Sequence, residues 1–130
     1  MADIEIRTTS ASGEALEWLV IKALGYTPFL DIRAYRFSVD DKAFYIGNAD
    51  FSRAWKGAGP LLQTSQMDLR KTVQHEGDTT ISPGHAWKAE TVATNPYFCA
   101  YGETPQVAIC RCFVASKLGY IVKVPKELLK

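Results

Sequence analysis

The 130-residue chain has little of what usually carries chemistry: two histidines, three cysteines and neither charge in excess. Its 15 Lys and Arg nearly balance 14 Asp and Glu, for a net charge of +1. General nucleic-acid or membrane-surface binding needs a basic face or arm, and this balance supplies none. No apolar run approaches the roughly 20 residues that span a bilayer. The first residues, Met1-Ala2-Asp3-Ile4-Glu5, lack a basic stretch followed by an apolar one, so no secretory signal is expected. An odd cysteine count without such a signal fits a reducing compartment. His75 and His85 stand in no metal-ligand spacing, and there is no G-x-S-x-G, Walker loop or dinucleotide fingerprint. Neither catalytic residues, nor a metal site, nor a cofactor is therefore expected.

What is present is enough apolar material for a core. At 47% hydrophobic and 22% charged, residues 1–130 read as one globular domain. Ile4 and Ile6 alternate with charged neighbours as in a short strand. Ser10 or Ser12 caps a helix from about Gly13 to Leu24, with Leu16, Leu19, Val20, Ala23 and Leu24 on one stripe and Gly25 ending it. Tyr35, Phe37 and Val39 alternate toward a polar turn at Asp40-Asp41, which predicts a hairpin into Ala43–Ile46. Residues 47–60 read as an ordered loop, followed by a short turn at Leu61–Gln63. Met67–Gln74, His85–Ala93, Pro96–Tyr101 and Tyr120–Val124 have strand character, and His75–Gly84 reads as a polar loop. The pattern predicts an α+β domain, two main helices packed on a largely antiparallel sheet. An exposed strand edge leaves room for a homodimer.

The second helix, Gln106–Leu118, has the clearest boundaries in the chain. Thr104 can accept from the first-turn amides, Pro105 suits the first helical position, and Gly119 suits the left-handed residue that ends a helix. Cys110 and Cys112 resemble a C-x-C ligand pair, but residues two apart on a helix point roughly 160° from each other. Both read as small buried hydrophobes. Arg111 projects among Val107, Ala108, Val114, Ala115 and Leu118, where an apolar side chain is expected. One reading buries its stem and lets the guanidinium reach water or a structural acceptor. The other sets the guanidinium at the floor of a pocket, as a fork for a carboxylate or phosphate.

A second candidate is Phe51–Leu62. Gly57 and Gly59 permit close backbone approach, and Trp55 beside them could stack on a ligand or plug the core. Trp87 carries the same ambiguity. Arg53, Lys56, Arg70 and Lys71 could form a local basic patch despite the neutral total. His75 and His85 would be the candidates for a small hydrolase.

Three blocks of the chain resemble the phage NinX-like family: Gly13–Trp18 through Val20 to Gly25, Phe51-Ser52 through Trp55 to Gly59-Pro60-Leu61-Leu62, and Gly102-Glu103-Thr104-Pro105 through Arg111–Gly119 to Val124-Pro125. Ala54, Ala58 and Tyr120-Ile121 depart from the family pattern. The resemblance implies an accessory protein of a phage or prophage, acting in the bacterial host cytoplasm, and implies no reaction. With the residues, it yields an expectation of a non-enzymatic binding module. Its partner would be a host or phage protein or a small anionic ligand, met through Trp55, Gly57, Gly59, Trp87 and Arg111. A nucleic-acid-associated factor is the first alternative and the His75/His85 hydrolase the second.

Overall fold

The computed structural model describes residues 3–31, 34–39, 42–45, 51–52, 54–64, 66–71, 86–91 and 97–129. In chain order the elements are β1 (Asp3–Arg7), a 3-10 turn (Thr8–Ser10), α1 (Gly13–Ala23), β2 (Phe29–Asp31), β3 (Ala34–Val39) and β4 (Lys42–Tyr45). They continue with α2 (Trp55–Thr64), β5 (Met67–Lys71), β6 (Trp87–Thr91), β7 (Cys99–Gly102), α3 (Pro105–Leu118), β8 (Ile121–Pro125) and a closing 3-10 turn (Lys126–Leu128). The strands pair as three antiparallel ladders among the described residues: β1-β8, β2-β3-β4 and β5-β6-β7. The α+β class and the antiparallel pairing agree with the sequence pattern.

Helix α3 is the centre of the domain. Ala108, Ile109, Cys110, Cys112, Phe113, Val114 and Ala115 are all buried, because α1, α2 and the β5-β6-β7 ladder pack around it. A helix enclosed on several sides must be apolar nearly all round, which is how its sequence reads. Its ends follow the expected chemistry. The Thr104 hydroxyl accepts from the Val107 amide at 3.2 Å, Pro105 occupies the first turn, and Gly119 at φ +94° donates its amide to the Ala115 carbonyl at 2.9 Å. At the start of α3 the chain is tight. A Cβ built on Gly102 would lie 2.5 Å from the Ala108 amide nitrogen and 3.0 Å from the Thr104 carbonyl oxygen.

Helix α1 buries Leu16, Leu19, Val20 and Ile21 and has Trp18 inside as well. Ser12 stands at its N-cap but makes no side-chain cap bond. The two ends of the chain meet through β1 and β8, with Ile4 opposite Val124 and Ile6 opposite Val122. Buried Thr8 fastens that junction: its hydroxyl donates to the Gly119 carbonyl at 2.6 Å and its amide to the Tyr120 carbonyl at 2.8 Å.

Two elements depart from the sequence reading: strand β2, which it does not anticipate, and α2. Residues 55–64, expected as the end of a loop and a turn, form a third helix that contains Gly57, Gly59 and Pro60. Helix propensity opposes all three, by about 1 kcal/mol for each glycine and about 3 kcal/mol for an interior proline. Tertiary burial prevails: Ala58 and Leu61, three apart, are buried in the common core, and α2 packs on α3. The expected turn at Asp40-Asp41, the polar loop His75–Gly84 and residues 47–50 and 92–96 lie outside the described residues.

Candidate anion pocket at two helix N-termini

Helices α1 and α3 begin at the same place. A pocket of about 330 Å³ is lined by Ser12 and Gly13 from the start of α1, by Glu103, Thr104, Gln106 and Val107 from the start of α3, and by Ser52 and Arg111. Each helix N-terminus leaves first-turn amides without intrahelical acceptors and carries a partial positive charge. In α3, Thr104 caps one of those amides and Pro105 has none to offer, which leaves Gln106. In α1, Ser12 caps none with its side chain.

Arg111 reaches this pocket from the second turn of α3 and is tied on two sides. Its Nε–H donates to the Ala11 carbonyl at 2.7 Å and an Nη1–H to the Tyr101 carbonyl at 2.8 Å. The first bond holds the entry to α1 and the second holds β7, so the side chain links three elements. A guanidinium has five N–H donors. Two are used here, and the other three have no partner among the described residues. Burial pulls the Arg111 pKa below the usual arginine range, and the Glu103 carboxylate acts in the opposite direction. The group stays cationic at neutral pH. Both sequence readings of Arg111 thus meet in one residue: its acceptors are structural carbonyls rather than a carboxylate, and it also lines a pocket.

Ser52, which also lines the pocket, is held by Glu17, which the sequence reading passes over. Glu17 is 2% exposed and accepts from the Ser52 amide at 3.0 and 3.3 Å and from the Ser52 hydroxyl at 3.3 Å. A buried carboxylate is costly unless hydrogen-bonded, and here it pins the 51–52 turn, 35 residues away, onto α1. Its charge also helps burial raise the Cys110 thiol pKa well above the usual range. Burial pushes Cys112 up to about 12. Both helix cysteines are therefore neutral thiols in the core, as expected. Among the described residues no group of three His, Cys, Asp or Glu could hold a metal ion.

The other candidate residues lie elsewhere. Trp55 opens α2 and is 50% exposed, so it does not plug the core, and it does not line the Arg111 pocket. Gly57 and Gly59 are in α2, and a Cβ on Gly59 would meet nothing within 4 Å. Trp87 is half-buried in β6 and packs against the core cluster. The structure brings none of these four to Arg111. Arg70 and Lys71 are consecutive in β5 and so face opposite sides of the ladder. Arg70 pairs with Glu90 at 3.1 Å. That separates half of the expected basic patch; Arg53 and the Lys56 side chain lie outside the described residues, as do His75 and His85. No helix among the described residues is long and apolar enough to cross a membrane.

Comparison with known proteins adds a family. No curated protein matches the chain. A crystal structure of a phage protein from Bacillus cereus ATCC 14579 has a similar fold, with a TM-score of 0.57 over 85% of this chain and 97% of that one. At 17% identity that likeness concerns the fold alone. The family model described as Bacteriophage P22, NinX matches residues 7–117, from the last residue of β1 into the last turn of α3. The matched span contains every residue that lines the Arg111 pocket, and on its strength the chain belongs to the phage P22 NinX family.

Proposed function

We propose that this NinX-family protein is a phage- or prophage-encoded binding module, non-enzymatic, that takes a compact anionic group in the pocket beside Arg111. The observation that carries the reading is Arg111 itself, held in place by two backbone carbonyls and left with three N–H donors at a cavity. A guanidinium fixed in this way has little conformational freedom left to lose, which favours forked recognition of a carboxylate or phosphate. The starts of α1 and α3 add positive potential at the same pocket. The group could belong to a small molecule or to an acidic side chain of a host or phage protein. In the bacterial cytoplasm either would act by stoichiometric binding. Among the described residues, the charged groups that line the pocket are an arginine held by backbone carbonyls and the single acid Glu103, which suits binding of an anion.

The test is a titration of the purified protein with inorganic phosphate and, separately, with acetate and succinate, followed by amide NMR shifts at constant ionic strength. Saturable shifts confined to Gly13–Ala15, Gln106 and the Arg111 side chain are expected. Arg111→Lys, which keeps the charge and loses the fork, should weaken them while α-helical circular dichroism is retained. Shifts that never saturate, or that survive Arg111→Lys unchanged, would remove the proposal. Preference for phosphate over carboxylate, or the reverse, identifies the group.

A further inference from the structure

The far end of the same two helices carries a different surface. Because α1 and α3 start at one pocket, they run in the same direction, and their C-terminal residues also come together. A cavity of about 340 Å³ is lined there by Ala23 and Leu24 of the α1 end, Pro60 and Leu61 of α2, and Phe113 and Lys117 of α3. A second, of about 280 Å³, is lined by Leu19, Lys22, Leu118, Ile121, Val122 and Lys123. The two flank the helix ends, one toward α2 and one toward β8.

Their floors are apolar and their charges have one sign. Lys22, Lys117 and Lys123 line them, and among the described residues no acidic side chain does. None of the three lysines is in an ion pair among the described residues. Lys22 lies over the Trp18 ring at 5.0 Å and Lys117 over Phe113 at 6.0 Å, so both ammonium groups stand on aromatic rings. The one acid nearby in register is Glu5 of β1, opposite Lys123. Lysines in a last helical turn offset the helix dipole, as Lys22 and Lys117 do, and Lys123 in β8 stands opposite Glu5 of β1, yet all three also line the hollows. Ile121, 54% exposed, and Leu24, 39% exposed, put apolar surface in the lining of these hollows next to the lysines.

We propose that this end of the α1–α3 pair docks a segment of a protein partner that carries acidic and large apolar side chains together. The lysines supply the charge complement and the two hollows receive the apolar side chains. Concave hollows favour a peptide over a lipid surface, which binds protruding apolar residues. Among the described residues no exposed aromatic side chain lines either hollow, which favours a peptide over a nucleic-acid strand.

The test is selection from a random linear-peptide display library on the full chain, with counter-selection on the Lys22→Glu/Lys117→Glu/Lys123→Glu variant. The lysines are surface groups, so the variant should fold, and circular dichroism checks that. Recovered peptides should be rich in Asp or Glu together with Leu, Ile or Phe. In fluorescence polarisation their affinity should fall by about tenfold or more for the triple variant, and also for Ile121→Ser. It should be unchanged for Arg70→Ala, a surface substitution in β5 that lines neither hollow, and excess inorganic phosphate should not displace the peptides, which separates this surface from the anion pocket. The inference is overturned if no peptide is enriched over the counter-selection, if the recovered peptides lack acids, or if the substitutions leave affinity unchanged. It is equally overturned if phosphatidylglycerol vesicles or a single-stranded oligonucleotide, rather than peptides, bind with this lysine dependence.

Discussion

Replacing Arg111 by leucine separates its structural work from any binding. The guanidinium holds the carbonyls of Ala11 and Tyr101 at 2.7 and 2.8 Å. Hydrogen bonds from a charged donor contribute about 1.5–3 kcal/mol each. Leucine removes both and leaves the carbonyl of Ala11, a residue only 2% exposed, without that donor. Against this loss stands the relief of a desolvated cation, the same desolvation that lowers the arginine pKa. Solvent at the open side of the pocket reduces both terms. The balance is a destabilisation of about 2–4 kcal/mol. Lysine has a single ammonium head and cannot reach both carbonyls with the same fork, so Arg111→Lys should lose about 1–2 kcal/mol. Urea denaturation with a common m-value measures these differences, and a thermal melt should register about 4 °C per kcal/mol for a domain of this size. A leucine variant within about 0.5 kcal/mol of the parent would refute the cross-link as a structural element. The arginine would then have to be explained by the pocket alone.

Three other substitutions test the surrounding architecture. Gly102→Ala places a methyl group 2.5 Å from the Ala108 amide nitrogen, so the start of α3 must move, and urea denaturation should show a loss of about 1–3 kcal/mol. Gly59→Ala meets nothing beyond its chain neighbours, but Gly59 precedes Pro60, whose ring crowds a Cβ on the helical residue before it. That clash offsets the roughly 1 kcal/mol gained by removing a helix-interior glycine, so the same assay should show a change within about 0.5 kcal/mol, and a larger gain would mean that Pro60 does not crowd that position. Glu90 accepts from the Tyr97 hydroxyl and lies beside Lys88 and Arg70, which together hold its pKa below the ordinary value of 4.5. A depressed carboxylate stabilises the fold above its unfolded pKa and loses that contribution as pH falls through the folded pKa. Glu90→Gln should therefore flatten the stability–pH curve below about pH 4.5 and lower stability near neutrality, as read by denaturation across pH.

The legible parts of this fold are those encoded locally. Thr104, Pro105 and Gly119 announce α3 because capping depends on a few consecutive residues. The position of α1 follows from its period of 3.6, but its burial does not stay on the expected stripe: Ala15–Ile21 are all buried, Glu17 and Trp18 included, while Leu24 lies past the helix end and is 39% exposed. Helix α2 was hidden because Gly57, Gly59 and Pro60 each read as loop residues, and the burial of Ala58 and Leu61 that overrides them is tertiary. Glu17 was hidden for a similar reason. A single acid between Leu16 and Trp18 looks like the solvated side of a helix until Ser52 is placed against it. Arg111 stood out as misplaced, yet its acceptors lie 100 and 10 residues away in sequence, so its partners could not be read from the helix alone. Trp55 and Trp87 drew attention as aromatic residues, but neither residue type nor spacing determines which tryptophan a cavity will receive.

The sign of the ligand charge can be tested through Glu103, the one acidic residue that lines the Arg111 pocket among those described. Its carboxylate favours the charged form of Arg111, so it acts on the guanidinium as an incoming anion would. An anionic ligand must bind against that negative charge. For unit charges several ångströms apart at a solvated site the repulsion amounts to about 0.5–1 kcal/mol. Glu103→Gln should therefore tighten phosphate or carboxylate binding by about two- to fivefold at low salt, with the gain disappearing as salt screens the pair. Stability should fall by only a few tenths of a kcal/mol, since an exposed acid beside the start of α3 contributes a small dipole term. The opposite outcome, weaker anion binding with stability unchanged, would mean that Glu103 holds Arg111 ready for a ligand rather than competing with it. A pocket that favours cations once Arg111 is replaced by leucine, and loses them with Glu103→Gln, would assign the recognition to the carboxylate and end the anion reading.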